Sequence, residues 1–367
     1  MQTSIILVGG FLGAGKTSLL FETATRLARE GKRIGLITND QAPELVDTTL
    51  LEHAVEIFRE VSGACVCCNF AGFTEAIFDL IKNHQAEVII AEPVGSCTDL
   101  SATVLQPLKD HFGKDFVVAP LTVLVDPQRL SDILDGRDSG LHPSAVYIIE
   151  KQIEEADIIA ISKADLLTEE EIQNLQRRAE QEWPGSEVLV VSSKTGEGLD
   201  QWLSEVVSRT DAGKNIVEVD YDIYAEGEAV LGWLNTTLEL KGDSIDWDKF
   251  AKDLLTRLSR RFDEADSAIG HVKLIVEVGS NFVIGNLIST DEPPTIRRSA
   301  GVGNEARMTL NARVQMAPQE LEKIAFEEIA NVCGSNIRSE VIALKCLSPG
   351  YPRPTYRYDR VVTPPSN

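Results

Sequence analysis

No stretch of the 367 residues reaches the roughly 18 uninterrupted apolar residues of a membrane span, so none is expected to cross a bilayer. Basic residues are scarce: 35 Lys and Arg stand against 57 Asp and Glu, a formal charge of −22. A chain so acidic repels phosphate backbones and anionic lipid, which argues against general nucleic-acid binding and membrane adhesion. Six cysteines are too few for a disulfide framework in a chain of this length, and three of them crowd at Cys65, Cys67 and Cys68. Neighbouring cysteines pair poorly with each other. The cluster therefore reads as thiol or metal chemistry in a reducing compartment, and the protein is expected to be cytoplasmic. No basic region precedes the first apolar run, which reads as a core strand rather than a signal peptide. There is no internal repeat and no low-complexity segment.

Hydrophobic residues make up 43% and charged residues 25%, the balance of a globular protein, and the length suggests two domains. In the first half, short apolar runs at Ser4–Gly9, Arg33–Asn39, Val88–Ala91, Thr122–Val125, Ile158–Ile161 and Glu187–Ser192 predict buried strands. Helical patterns over Thr17–Glu30 and Gly72–Asn83, a helix opened by the capping box Thr168-Glu169-Glu170-Glu171, and another over Gly198–Arg209 stand between or after them. This alternation predicts an α/β fold, a mostly parallel sheet wrapped by helices, over residues 1–210. Thr210–Asn215 reads as a linker. Residues 216–348 change to alternating strands and two amphipathic helices, which predicts a smaller α+β domain, a ferredoxin-like sandwich with an extra strand. Residues 349–367 form a tail, expected to pack on that second domain.

Gly10-Phe11-Leu12-Gly13-Ala14-Gly15-Lys16-Thr17 fits the P-loop pattern G-x-x-x-x-G-K-[ST] in full, with an apolar strand before and an amphipathic helix after. Gly10, Gly13 and Gly15 let the backbone curl so that its N–H groups, including those of Ala14 and Ser18, face phosphate. Lys16 is expected against the β- and γ-phosphates, and the Thr17 hydroxyl on Mg²⁺. Glu92 ends the strand Val88–Ala91, where such proteins hold magnesium or its water, and Gly95 would let backbone approach the γ-phosphate. Ser162-Lys163-Ala164-Asp165 resembles the N-K-x-D element that reads guanine, with serine in place of asparagine. The Asp165 carboxylate can accept from N1–H and the 2-amino group, a pair adenine does not offer. Ser192-Ser193-Lys194 resembles the supporting S-A-K element, with Ser193 beside the base. GTP is the expected nucleotide.

Three thiols in the four residues Cys65–Cys68 suit zinc or another soft metal, with a fourth position left for water or a partner. Cys97 could join them, although a buried core thiol is its expected fate. Together with Asn39-Asp40, Asp47, Glu92, Gly95, Asp157 and the Thr195–Gly198 segment, these motifs make residues 1 to about 210 resemble the CobW family of P-loop GTPases, relatives of UreG and HypB. The resemblance implies a GTP-hydrolysing metallochaperone with GTP, Mg²⁺ and Zn²⁺ or a similar thiophilic metal as ligands. Its partner would be a client metalloprotein or a corrinoid protein, and the chain a monomer or homodimer. Lys16 and Glu92 or Asp40 are the expected catalytic residues; no in-chain arginine finger is identifiable, so intrinsic turnover should be slow. Two other readings share the P-loop: a small-molecule kinase, which would need an arginine-rich lid, and a non-enzymatic metal store or sensor.

Overall fold

The computed structural model describes residues 2–40, 46, 57–138, 140–290 and 292–363, with Asp40 described in its backbone alone. Eight strands form the first sheet: β1 (Thr3–Gly9), β2 (Ile34–Asp40), β3 (Phe58–Ser62), β4 (Val88–Glu92), β5 (Phe116–Val118), β6 (Thr122–Val125), β7 (Ile158–Ile161) and β8 (Glu187–Val190). Their order is β3-β2-β4-β1-β6-β7-β8, with β5 also pairing β1, and every pairing is parallel. The reason is compositional: β4, β6 and β7 are buried at every position, as strands covered on both faces must be. Helix Lys16–Arg29 buries Leu19, Leu20, Ala24 and Leu27 on one face of the sheet, and helix Phe70–His84 buries Phe73, Ile77 and Leu80 on the other. The predicted capping box is present at Thr168 and Glu171.

Sequence reading missed β3, β5 and the helices Gln106–Phe112, Pro127–Asp135, Pro143–Glu155 and Tyr221–Ala229. Most are short, and each owes its stability to packing more than to its own periodicity.

The second sheet comprises β9 (Gly232–Asp246), β10 (Ile269–Val278), β11 (Asn281–Leu287), β12 (Thr295–Ser299), β13 (Val302–Val314) and β14 (Ile337–Leu347). The order is β12-β11-β10-β13-β9-β14, antiparallel throughout. β14-β9-β13-β10, with helices Trp247–Glu264 and Pro318–Cys333, is a ferredoxin-like arrangement; β11 and β12 extend its edge by two strands. The two helices cover one face, where Val272, Leu274 and Val276 of β10 enter the core. Strand alternation sends His271 and Lys273 to the opposite face, which looks onto the P-loop.

The segment read as a linker is anchored. The Asp157 carboxylate accepts from the Leu121, Gly213 and Lys214 amides at 2.7, 2.6 and 2.9 Å, and Lys109 Nζ donates to the Ala212 carbonyl at 2.7 Å. The tail requires a correction. It packs across the first domain: the Thr355 amide donates to the Cys67 carbonyl at 2.9 Å, the Tyr358 amide to Ala102, and Arg357 pairs with Asp99 at 2.7 Å. Buried Asp99, rather than the second domain's surface, is the strongest anchor for that arginine. Among the described residues no helix is long and apolar enough to cross a membrane.

Candidate functional site: a phosphate-binding cavity joined to a thiol cluster

The parallel strands end together, so the residues after β1, β2, β4 and β7 share one edge, where α/β folds hold ligands. Gly10, Gly13 and Gly15 have φ of 126°, 80° and 96°, and a Cβ at Gly10 would stand 2.3 Å from the Leu124 carbonyl oxygen. Only glycine can make that bend. Gly95 is held for space instead: a Cβ there would meet Leu12 Cδ2 at 2.7 Å and Lys16 Nζ at 3.1 Å.

The bend opens into a cavity of about 330 Å³. Gly13, Ala14, Gly15, Lys16, Thr17, Ser18, Glu92 and Gly95 line it, as do Ser162, Lys163, Asp165 and Ser193; Gly10 lies behind the loop, against β6. Lys16 Nζ donates to the Gly10 carbonyl at 2.7 Å and lies 3.9 Å from Glu92 Oε1. Thr17 Oγ1 donates to the Glu92 carboxylate at 3.0 Å, so the two expected magnesium-side residues are in contact. Lys163 Nζ pairs with Asp126 at 2.6 Å. Asp165 accepts from Ser192 Oγ at 2.6 Å and from Lys194 Nζ at 3.0 Å. Burial pushes its carboxyl upward, but those two donors outweigh burial and hold it below the usual range. Ser192 thus contacts Asp165, while Ser193 lines the cavity. Ser162 Oγ donates to the Val125 carbonyl at 3.1 Å. The Asp40 side chain and Asp47 lie outside the described residues.

Sequence reading missed the opposite wall, which the second sheet supplies with His271, Lys273, Arg297, Arg298, Asn311 and Arg313. Lys273 Nζ donates to Thr17 Oγ1 at 3.2 Å, and the Val46 amide donates to Asn311 Oδ1 at 2.8 Å. Arg298 stacks over Phe21 of the first domain and Phe282 of the second, 5.3 and 4.6 Å from the ring centres. Burial pushes the His271 imidazole well below its usual pKa, helped by the charges of Lys273, Arg313, Lys16 and Arg129. Its buried Nδ1 has no hydrogen-bond partner among the described residues. Such a group costs about 1–3 kcal/mol. Cations converging on a glycine loop suit a polyphosphate.

Behind this cavity lie the thiols. Cys65 Sγ is 2.9 Å from Cys67 Sγ, Cys67 Sγ is 3.8 Å from Cys68 Sγ, and all three lie within 4.8 Å of one another. Hydrogen bonding from Cys67 and Cys68 draws the Cys65 thiol below its usual pKa, while hydrogen bonding to Cys65 raises Cys67. Cys97 is buried. Three soft sulfurs this close together fit a zinc-class ion.

Asn39 joins the two regions. It lines the cavity, its Nδ2 donates to the Val61 and Ala64 carbonyls at 2.7 and 2.8 Å, and its Oδ1 accepts from the Val66 amide at 2.9 Å. These bonds clamp the turn that carries Cys65.

The parallel sheet, the glycine bend and the cation-lined cavity define a P-loop nucleotide-binding protein. The chain belongs to the CobW/HypB/UreG family: the profile described as "CobW/HypB/UreG, nucleotide-binding domain" matches residues 4–190. It is similar to the zinc chaperone YeiR of Escherichia coli, 29% identical over 184 residues, covering 48% of this chain and 51% of that protein. It is also similar to the zinc chaperone CobW of Pseudomonas aeruginosa, 27% identical over 223 residues, covering 53% and 57%. The chain spans about half the length of the curated relatives it matches. Among solved structures, HypB from Archaeoglobus fulgidus aligns at a TM-score of 0.39 with 20% identity, over 55% of this chain and 87% of that one. Zinc-bound YjiA GTPase from E. coli aligns at 0.36 with 15% identity, over 90% and 99%.

Proposed function

We propose that this protein is a GTP-hydrolysing metallochaperone that delivers zinc, or a metal of similar softness, to a client metalloprotein. The single observation that carries the reading is Asn39, which lines the phosphate cavity and holds the thiol turn. A change in the cavity is thereby passed over a few bonds to the metal ligands. The names of the similar proteins, zinc chaperones among them, support zinc as the cargo.

In this reading the loop amides and Lys16 hold the β- and γ-phosphates, and Lys273 adds positive charge from the second domain. Asp165, set by Ser192 and Lys194, faces the base and selects guanine. Thr17 and Glu92 would hold magnesium, which neutralises phosphate charge when bound. Glu92 also orients the Thr17 hydroxyl. Cys65, Cys67 and Cys68 carry the cargo.

The test combines phosphate release with metal transfer. The full chain, loaded with zinc, is mixed with GTP and a chromophoric zinc acceptor. GTP should speed zinc transfer relative to GDP, and Lys16→Ala should abolish that difference. Equal transfer rates with GTP, GDP and no nucleotide would sink the chaperone reading, leaving a metal store. Equal competition by ATP would sink the guanine assignment alone.

A further inference from the structure

Phosphoryl transfer gathers negative charge on the γ-phosphate and the leaving oxygen, and many such sites set a second cation there besides the loop lysine. The sequence around the glycine loop shows no such finger. The fold brings a cation from the second sheet.

On β10, His271 and Lys273 share the face turned to the cavity, and in the ladder with β13 they stand opposite Arg313 and Asn311. Arg313 is held within its own sheet: it is buried, stacks 4.3 Å from the Trp233 ring centre and donates to the Leu234 and Ala312 carbonyls at 3.1 and 3.0 Å. Asn311 takes the Val46 amide. Lys273 is half-buried and reaches into the first domain, its Nζ donating to Thr17 Oγ1 at 3.2 Å. The base of its strand is fixed on the loop. Arg129 of helix Pro127–Asp135 donates to the Leu12 carbonyl at 2.6 Å and to the Gly270 carbonyl at 3.4 Å, and a Cβ at Gly270 would stand 3.0 Å from Leu12 Cδ1. Val272 and Leu274 anchor β10 in the core on either side of Lys273.

A hydroxyl has one hydrogen to give and two lone pairs to offer. Thr17 gives its hydrogen to Glu92 and takes the Lys273 ammonium on a lone pair. Thr17 is also the expected magnesium ligand, and a divalent cation repels an ammonium from the same oxygen. The ammonium rides on a flexible four-carbon stem, so it can leave Thr17 while β10 stays in place.

We propose that Lys273, which rests on Thr17 in this structure, serves at the γ-phosphate of bound GTP as an in-chain catalytic cation that stabilises the transition state of hydrolysis. This rests on the GTPase reading of the cavity. In the step, water attacks the γ-phosphorus and the bond to the β–γ bridging oxygen breaks, its electron pair leaving with GDP. The products are GDP, inorganic phosphate and a proton released to solvent. Lys273 keeps its own proton throughout and contributes charge alone. The second domain thereby completes the site.

Lys273→Met keeps the stem and removes the charge. Two readouts on the full chain test it: single-turnover GTP hydrolysis, and binding of a fluorescent GDP analogue with and without aluminium fluoride, which together with GDP mimics the transferring phosphoryl group. Hydrolysis should slow by about 100-fold, and the tightening given by aluminium fluoride should shrink by a similar factor, while affinity for GDP alone changes by less than about 10-fold. Lys273→Arg, which keeps the charge, should restore at least about a tenth of the rate. Unchanged hydrolysis and unchanged tightening in the methionine variant would overturn the proposal. So would equal losses of affinity for GDP and for its aluminium fluoride complex, the mark of uniform binding or of a distorted site. Retained GDP affinity is the control for folding, and Lys273→Gln replaces the methionine variant if that control fails. Failure of the unaltered chain to bind GTP would remove this inference together with the GTPase reading. Hydrolysis that depends on Lys273 without any zinc transfer would uphold it and sink the chaperone reading alone.

Discussion

The cavity and the thiol cluster sit at neighbouring strand ends yet are built on opposite principles. The cavity is polar and walled by two sheets, and its character comes from permanent cations, Lys16 on one side and Lys273, Arg297 and Arg298 on the other. The cluster holds two buried thiols and one half-buried thiol on a single turn of the first domain, with the tail's Arg353 amide donating to Cys68. Fixed cations favour a polyanion whatever the pH near neutrality, whereas thiols become ligands only by giving up protons. The first site is thus suited to a constant ligand and the second to one that comes and goes. What the two share is Asn39.

The most damaging change to the cavity should be Gly10→Ala, because the added carbon meets the Leu124 carbonyl and forces a left-handed residue out of place. A loss of about 3 kcal/mol or more in urea unfolding is expected; a loss below about 1 kcal/mol would mean that β6 can yield. Next, Lys16→Ala should weaken binding of a fluorescent GTP analogue by about 100-fold, the scale of a lost charge-assisted contact, while leaving cobalt binding unchanged. Parallel loss of cobalt would show that the two regions do not separate. Asn39→Ala sharpens the comparison from the middle: metal affinity should fall by about 10-fold and lose its dependence on GTP versus GDP, with nucleotide affinity changed less. Lys273→Ala should weaken GTP by about 10-fold or less and leave the metal untouched. Any effect on cobalt spectra would contradict the assignment of the second sheet to the cavity alone.

A separate expected effect, outside both sites, is on stability versus pH. Burial raises Glu155 from the 4.5 typical of glutamate to about 8, against the hydrogen bond from the Ser101 amide at 2.8 Å. The folded chain therefore keeps a proton that the unfolded chain has released, and stability falls as pH rises between those values. Glu155→Gln should flatten that slope in denaturation midpoints measured from pH 5 to 8. An unchanged slope would show that this carboxyl ionises normally.

The phosphate loop was legible because its chemistry is contiguous: eight residues carry the glycines, the lysine and the threonine, and the flanking apolar strand and helix announce themselves by period. The parallel strands were legible for the same reason, being short runs with nothing polar inside. β3 escaped notice since Phe58-Arg59-Glu60-Val61-Ser62 carries an Arg-Glu pair and is buried only in part. The tail was misplaced because its anchors, Asp99 and the Cys67 carbonyl, are hundreds of residues upstream and betray nothing of it locally.

Order along the chain, then, was enough for the loop, the thiol turn and the alternation that builds a wrapped parallel sheet, since hydrogen-bonding period and turn chemistry act between near neighbours. Folding alone placed Lys273 beside Thr17, 256 residues away in sequence, and the Arg353 amide against the Cys68 sulfur. Those meetings depend on which strand ends lie side by side and how two sheets face each other, and no local propensity encodes that.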